Sequence, residues 1–375
     1  MLIPDHPFYT GLIDVGEAPA GPASLPFELQ VHTKYALPRL VLTDAIREAL
    51  ANAYAAGSMA STPLGESPLA DVRLHEFMER LILLLGGTVA GKSLLEIGCG
   101  NGELLNQLRR RGAMVTGLEI GPQAQVVEDR HGIRVIREPL TPGSLDERFD
   151  GILSYGCLEH IDHLDEFFAA SRLCLRDDGL FFHSVPNSAL SFERVHLDHL
   201  LHEHINYFTP VNAVAMLSAQ GFDRAAASPT RAGNELMLWG FKKAGAAPAW
   251  PVERYDRECA ALEEYATKLE QKMAATLAAL SARIAHSSIA LYAGGFEYGF
   301  HLPVGAVRYA DGDIYKHGKR WLRGLPAIES PAALAAEPVD CVVVCKPHYF
   351  DSIRDALEQS GVNPRTLVSI DALCS

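Results

Sequence analysis

Residues Ser93–Gly102, SLLEIGCGNG, decide the fold class of this chain. The run Ser93-Leu94-Leu95-Glu96-Ile97 is short and apolar, which suits a buried parallel strand. Gly98, Gly100 and Gly102 then cover the turn into a helical pattern over 103–111. Glycine at these places reaches positive φ without steric cost and lets the backbone approach a ligand. A second strand over 114–119 ends in Glu119, 21 residues after Gly98. A carboxylate at the tip of the second strand can hold both hydroxyls of a ribose. The spacing is G-x-G-x-G, so this is not the dinucleotide-binding fingerprint.

Outward from this turn, residues 91–245 alternate strand and helix patterns, which predicts a parallel sheet with covering helices. Strands are expected at 93–97, 114–119, 133–138, 151–154, 180–185 and 235–241, with a helix over 163–175. Residues 1–90 form a mixed N-terminal region with loops at 19–26 and 58–68 and helices at 40–56 and 69–85. The stretch 252–284 carries apolar residues at alternating steps of three and four, from Val252 to Ile284. This predicts one long helix within a linker, 246–287. Two roles remain open for it: a span packed across its own chain, or the seam of a homodimer. Residues 288–375 form a second, smaller α/β unit, with strands at 289–292, 307–310, 341–344 and 366–370 and a helix at 352–360. Its turn Ala293-Gly294-Gly295 lacks the first glycine of a dinucleotide site and is read as a structural βα turn.

Composition narrows the class. The 375 residues are 48% hydrophobic and 21% charged, as in a globular protein of two or three domains. The net charge of −13, without a Lys/Arg cluster, argues against nucleic acid as a partner. No apolar run approaches the ~18 residues that span a bilayer, so no membrane partner is expected. The N-terminus lacks the basic and apolar segments of a signal peptide. The seven cysteines are scattered, with no C-x-x-C pair, which favours a reducing, cytoplasmic location.

The glycine turn with Glu96 and Glu119 resembles motif I of class I S-adenosylmethionine-dependent methyltransferases, E/D-x-G-x-G-x-G. Three later segments resemble the same family in the same order. They are Phe149-Asp150-Gly151-Ile152-Leu153-Ser154, Leu158-Glu159-His160-Ile161, and Leu175–Leu180 followed by Val185-Pro186-Asn187, in which Asp178 stands in for a glycine. The resemblance implies a Rossmann-like central domain with S-adenosylmethionine as cofactor. It assigns cofactor contacts to Glu96, Gly98, Cys99, Gly100, Gly102, Glu119, Ile120, Ser154 and Tyr155.

The segment 195–208, VHLDHLLHEHINYF, concentrates His196, His199, His202 and His204 with Asp198 and Glu203. Zinc binding, a structural cluster and acid–base catalysis are all open to such a set. The spacing fits neither H-E-x-x-H nor H-x-x-E-H, so the expectation is acid–base work and no metal. His202-Glu203-His204 followed by Tyr207-Phe208-Thr209 resembles the Y-H-E-H segment of sugar C-methyltransferases. Tyr54–Ser61 resembles that family's Tyr-x-x-x-Ser stretch, and the C-terminal unit resembles its Rossmann-like domain. By this resemblance residues 1–90 cap the substrate, and the acceptor is a nucleotide-activated keto sugar methylated at carbon through an enolate. His204 would be the base, Glu203 its orienter, and His160 an acceptor contact. Tyr54, Asn187, His202 and Tyr207 would bind substrate. Two departures stand out: Leu201 replaces the tyrosine, and residues 1–50 hold no zinc-binding cysteine. O-methylation of a sugar or another small hydroxyl compound is the alternative, and a non-catalytic protein with a retained cofactor pocket is a third reading.

Overall fold

A computed structural model describes the whole chain except Val15, Ala18–Ala20, Ser58–Ser61, Asp198, Ala247–Pro248 and Ser375. The serine of the Tyr-x-x-x-Ser stretch and Asp198 therefore lie outside the described residues. The chain opens with strands β1 (Leu2–Pro7), β2 (Ser24–Val31) and β3 (Pro38–Leu40), which form an antiparallel sheet in that order. On β2 the alternate residues Phe27, Leu29 and Val31 are buried, the period-two pattern of a half-covered strand. This sheet was not expected: residues 24–26 fall in the expected loop and Leu40 at the start of the expected helix, and the rest of it had no assigned element. Helix α1 (Asp44–Ala55) begins only after Thr43, whose side chain accepts from the Ile46 amide, and α2 (Pro68–Leu84) is capped likewise by Ser67.

The central unit follows as β4 (Ser93–Ile97), α3 (Glu103–Arg110), β5 (Met114–Leu118), α4 (Gln123–His131), β6 (Val135–Ile136), β7 (Phe149–Tyr155), α5 (Leu164–Cys174), β8 (Leu175–Pro186), α6 (Ser188–Arg194), α7 (Pro210–Ala219), β9 (Phe222–Pro229) and β10 (Glu235–Lys242). Its seven strands are ordered β6-β5-β4-β7-β8-β10-β9. β4 through β8 are parallel, and β10 runs antiparallel to both β8 and β9. Strand order reverses between β4 and β7, so a crevice opens beyond their carboxyl ends. Asp178 takes φ 59°, the left-handed conformation that suits a glycine. The expected strands are present, and β9 is an addition.

Helix α8 (Tyr255–Ile284) is the long helix, preceded by a 3₁₀ turn at Val252–Arg254. Leu262, Tyr265, Leu269 and Leu280 are buried in one apolar cluster. That cluster also holds Phe27 and Leu29 of the N-terminal sheet and Leu291 and Val343 further on. Much of the apolar stripe is thus packed within its own chain, as expected for the first of its two roles, while Val252 at its start is exposed. The final unit comprises β11 (Ile289–Tyr292), a short helix α9 (Phe296–Gly299), β12 (Arg308–Ala310), β13 (Ile328–Glu329), α10 (Pro331–Ala336), β14 (Cys341–Val344), α11 (Phe350–Gln359) and β15 (Thr366–Ser369). Its five strands are parallel in the order β13-β12-β11-β14-β15. Paired backbone bonds between Ile13 and Arg320 (2.9 and 2.8 Å) tie this unit to the N-terminal region. Among the described residues, no helix is long and apolar enough to cross a membrane.

Candidate active site

The glycine turn after β4 adopts φ of 65°, 51° and 75° at Gly98, Gly100 and Gly102, all left-handed. Side chains are excluded here by space as well. A Cβ on Gly98 would stand 2.9 Å from Cys157 Sγ, and one on Gly102 would stand 2.7 Å from Val127. The turn is pinned to β5, because the amides of Gly98 and Cys99 both donate to the Leu118 carbonyl (2.7 and 3.2 Å). Glu119, just past β5, reaches back across it. Its Oε2 accepts from the Gly100 amide at 3.0 Å and its Oε1 from the Gly121 amide at 2.8 Å. Each carboxylate oxygen keeps a further lone pair for a ligand hydroxyl.

A cavity of about 610 Å³ runs from this turn to the histidine-rich segment. At one end its walls are Gly98, Gly100, Leu118, Glu119 and Ile120; at the other they are Tyr54, Glu159, His160, Leu201, Glu203 and His204. Tyr155, Arg73 and Glu235 line it between the two. The size lies in the ~300–1,000 Å³ range of small-molecule sites. The glycine cradle and the carboxylate that closes it fit S-adenosylmethionine. Glu96 lies behind the turn, 2% exposed, with Oε2 lacking a hydrogen-bond partner. Burial, then the nearby Glu119 charge, holds its carboxyl well above the usual range.

At the far end, the 3₁₀ turn Leu158–His160 after β7 presents Glu159 and His160. His204 comes from the loop before α7. The loop is braced by the amides of Ile205 and Asn206, which both donate to the Glu159 carbonyl (2.8 and 2.9 Å). Arg39 of β3 holds the Asn206 side chain at 2.8 Å. His160 Nδ1 lies 2.8 Å from the Glu203 carbonyl, and His204 Nδ1 lies 3.0 Å from the His199 carbonyl. Carbonyls only accept, so each Nδ1 carries a hydrogen. The Tyr54 hydroxyl is 3.4 Å from His160 Nδ1, and the His160 and His204 rings meet edge to face at 5.2 Å. Burial lowers His160 to about 4 and raises Glu159 to about 8. The 3.7 Å approach of Glu159 Oε1 to His160 Nε2 is therefore a contact of neutral groups near pH 7, not an ion pair. Glu203 is 2% exposed and held well above the carboxylate range by burial and then by Glu159.

Several expected site residues lie off the cavity wall. Cys99 turns into the core, its sulfur 2.7 Å from where a Cβ on Gly117 would sit. Gly102 caps α3 from behind. Ser154 alternates away from Tyr155 along β7 and bonds His183 Nδ1 at 2.6 Å. The Asn187 amide donates to the Gly233 carbonyl at 2.8 Å, and the Tyr207 hydroxyl turns to the His199 and Leu201 carbonyls at 3.3 and 3.5 Å. His202 is fully buried against the rings of His6, Phe8 and Phe27. The histidine cluster is thus dispersed: His196 faces Asp371, His199 faces Ser191, and His204 alone lines the cavity. Glu159, Arg73 and Glu235 were not among the expected site residues. Glu159 had a signal in the segment LEHI; Arg73 and Glu235 had none. They meet only through the fold, with Tyr155 Oη donating to Glu235 and Arg73 approaching the same carboxylate at 3.5 Å.

Residues 71–226 match the family described as "Methyltransferase domain". The chain is 35% identical over 109 residues to the ubiquinone biosynthesis O-methyltransferase of Methylobacterium sp. (strain 4-46). The match covers 27% of this chain and 44% of that protein. The enzyme of the same name from Pseudomonas fluorescens (strain Pf0-1) is 32% identical over 120 residues, covering 29% of this chain and 48% of the relative. The chain thus spans under half the length of these relatives. Among solved structures, the magnesium protoporphyrin IX methyltransferase of Synechocystis PCC 6803 with bound S-adenosylmethionine aligns at TM-score 0.36 and 15% identity. That alignment covers 47% of this chain and 82% of the other. A putative S-adenosylmethionine-dependent methyltransferase from Listeria monocytogenes aligns at TM-score 0.38 and 14% identity, covering 45% and 99%. With the domain match, the strand order and the glycine–glutamate cradle taken together, residues 71–226 are a class I S-adenosylmethionine-dependent methyltransferase domain.

Proposed function

We propose that the protein transfers a methyl group to a small polyhydroxylated acceptor, a nucleotide-activated keto sugar, at carbon. The observation that carries this reading is the single cavity joining the Glu119 cradle to Tyr54, Glu159, His160, Glu203 and His204. Six ionisable or hydroxylated side chains at or near that end, Glu235 included, suit a polyol far better than an apolar ring. S-adenosylmethionine supplies an electrophilic methyl group when bound. The chain's own residues do the rest. His204, with its lone pair on Nε2, accepts the proton α to the ketone. His160 and Tyr54 position the acceptor, and Glu203 fixes His160 through its carbonyl. The walls hold donor and acceptor at the ~3–3.5 Å that reaction requires. Proposed domain roles follow: residues 1–90 cap the acceptor, 91–245 carry the chemistry, and 246–287 link this domain to the Rossmann-like unit at 288–375. The free thiols at Cys99, Cys157, Cys174, Cys259, Cys341 and Cys345 suit a cytoplasmic setting.

O-methylation is the second reading, favoured by Leu201. It lines the cavity where a phenol would polarise a ketone, and the named relatives are O-methyltransferases. Deuterium exchange separates the two. With S-adenosylhomocysteine in place of the methyl donor, a C-methylating site washes deuterium from D₂O into the α position of a keto sugar. An O-linked methyl in the product, with no such exchange, decides for the second reading.

A further inference from the structure

We propose that Glu159, His160 and His204 form a binding site for one divalent transition-metal ion at the acceptor end of the cavity. One ligand atom from each lies within 4.8 Å of those of the other two. Glu159 Oε1 and His160 Nε2 are already 3.7 Å apart. Donors at about 2.0–2.2 Å around a tetrahedral ion stand roughly 3.4 Å from one another. The pair is thus nearly at bonding separation.

Three further features point to a cation. First, both imidazoles are set for ligation. Each Nδ1 hydrogen is spent on a backbone carbonyl, of Glu203 and of His199, which fixes the ring. Metal-bound histidines are oriented by this kind of second contact. Second, Glu159 is 2% exposed and lines the cavity, yet its Oε2 has no hydrogen-bond partner. A buried polar oxygen without a hydrogen-bond partner is left open to a ligand. Glu203, next to it, has Oε1 in the same condition. Third, Arg73 is the only Lys or Arg among the cavity's lining residues, and it faces Glu235 at 3.5 Å and the Thr62 carbonyl at 2.9 Å.

Two imidazole nitrogens and one carboxylate oxygen suit zinc, iron(II) or cobalt(II), and leave a position open towards the cavity. On the acceptor reading above, that position would take the hydroxyl or keto oxygen, for which Leu201 offers no donor. The bound ion would occupy the Nε2 lone pair of His204, so metal binding and proton acceptance would compete for that atom. Metal binding itself needs no acceptor, so it stands or falls separately from the proposed reaction.

The test is titration of chelator-treated full-length protein with zinc by calorimetry and with cobalt(II) by visible absorption. One equivalent should bind with a dissociation constant tighter than about 10 µM. Glu159→Gln and His160→Ala should each weaken it roughly tenfold or more. His196→Ala, at the dispersed end of the cluster, should leave it unchanged. Binding of S-adenosylmethionine by each variant reports that the fold is intact. Should Glu159→Gln not fold, the wild-type and His160→Ala titrations decide. No saturable binding below millimolar zinc, or an affinity unchanged in both ligand variants, overturns the site. Chelator-treated protein that keeps full turnover while still binding zinc at these residues would return His204 to the role of base and make the ion an inhibitor.

Discussion

The amide of Gly100 donates to Oε2 of Glu119 at 3.0 Å, joining the two halves of the sequence signature in one contact. Nineteen residues separate them in the chain, yet parallel pairing of β4 with β5 sets their ends side by side. The glycine turn and the carboxylate are thus one object. The same carboxylate shapes the turn and lines the cavity.

Glu119→Ala should therefore weaken S-adenosylmethionine binding on two counts, lost ligand contacts and a loosened turn. Hydrogen bonds to a charged group contribute about 1.5–3 kcal/mol each. The expected loss is roughly tenfold or more in affinity, read by calorimetry. An unchanged dissociation constant with an intact fold would remove Glu119 from the cofactor site.

His204→Asn should leave cofactor affinity intact and lower turnover by ~10²–10⁴, the usual worth of a positioned proton acceptor. Calorimetry and steady-state kinetics on the same sample separate the two effects. Near-wild-type turnover would make His204 structural and shift attention to His160.

Leu269 of α8 is buried between the N-terminal sheet and the rest of the chain. Leu269→Ala should cost about 2–5 kcal/mol in unfolding free energy. Because much of the stripe is packed within the chain, the sedimentation coefficient of the folded variant should match wild type. A change in oligomeric state would instead support the dimer seam.

Asp371 receives His196 Nε2 at 3.3 Å and Lys272 Nζ at 2.6 Å, clamping the C-terminal unit to α8 and to the loop after α6. Although burial opposes ionisation, these partners hold its carboxyl down at about 2. A depressed carboxylate contributes stability above its unfolded value, near 3.8, and loses it as pH falls towards 2. Asp371→Asn should lower the urea midpoint at pH 5–7, and the gap should narrow below about pH 4. A gap that stays constant down to pH 3 would count against the clamp. The effect should be small, since the side chain is partly solvated.

The strand–turn–helix at 93–110, the acid at 119, the parallel sheet and the long helix could all be read from the sequence. Each rests on local periodicity or on a backbone conformation that glycine alone adopts easily, and both are properties of neighbouring residues. The N-terminal sheet left a weaker trace, the alternation of Phe27, Leu29 and Val31, hidden because β3 is three residues long and followed closely by a helix. What the sequence could not assign was which histidines share a site. His196, His199, His202 and His204 are neighbours in the chain, but an irregular loop sends each side chain a different way. The grouping of Glu159, His160 and His204 exists because the 3₁₀ turn after β7 and the loop before α7 are hydrogen-bonded to each other across 40-odd residues. Local residue order determined the cofactor half of the site. Long-range backbone pairing alone decided the acceptor half.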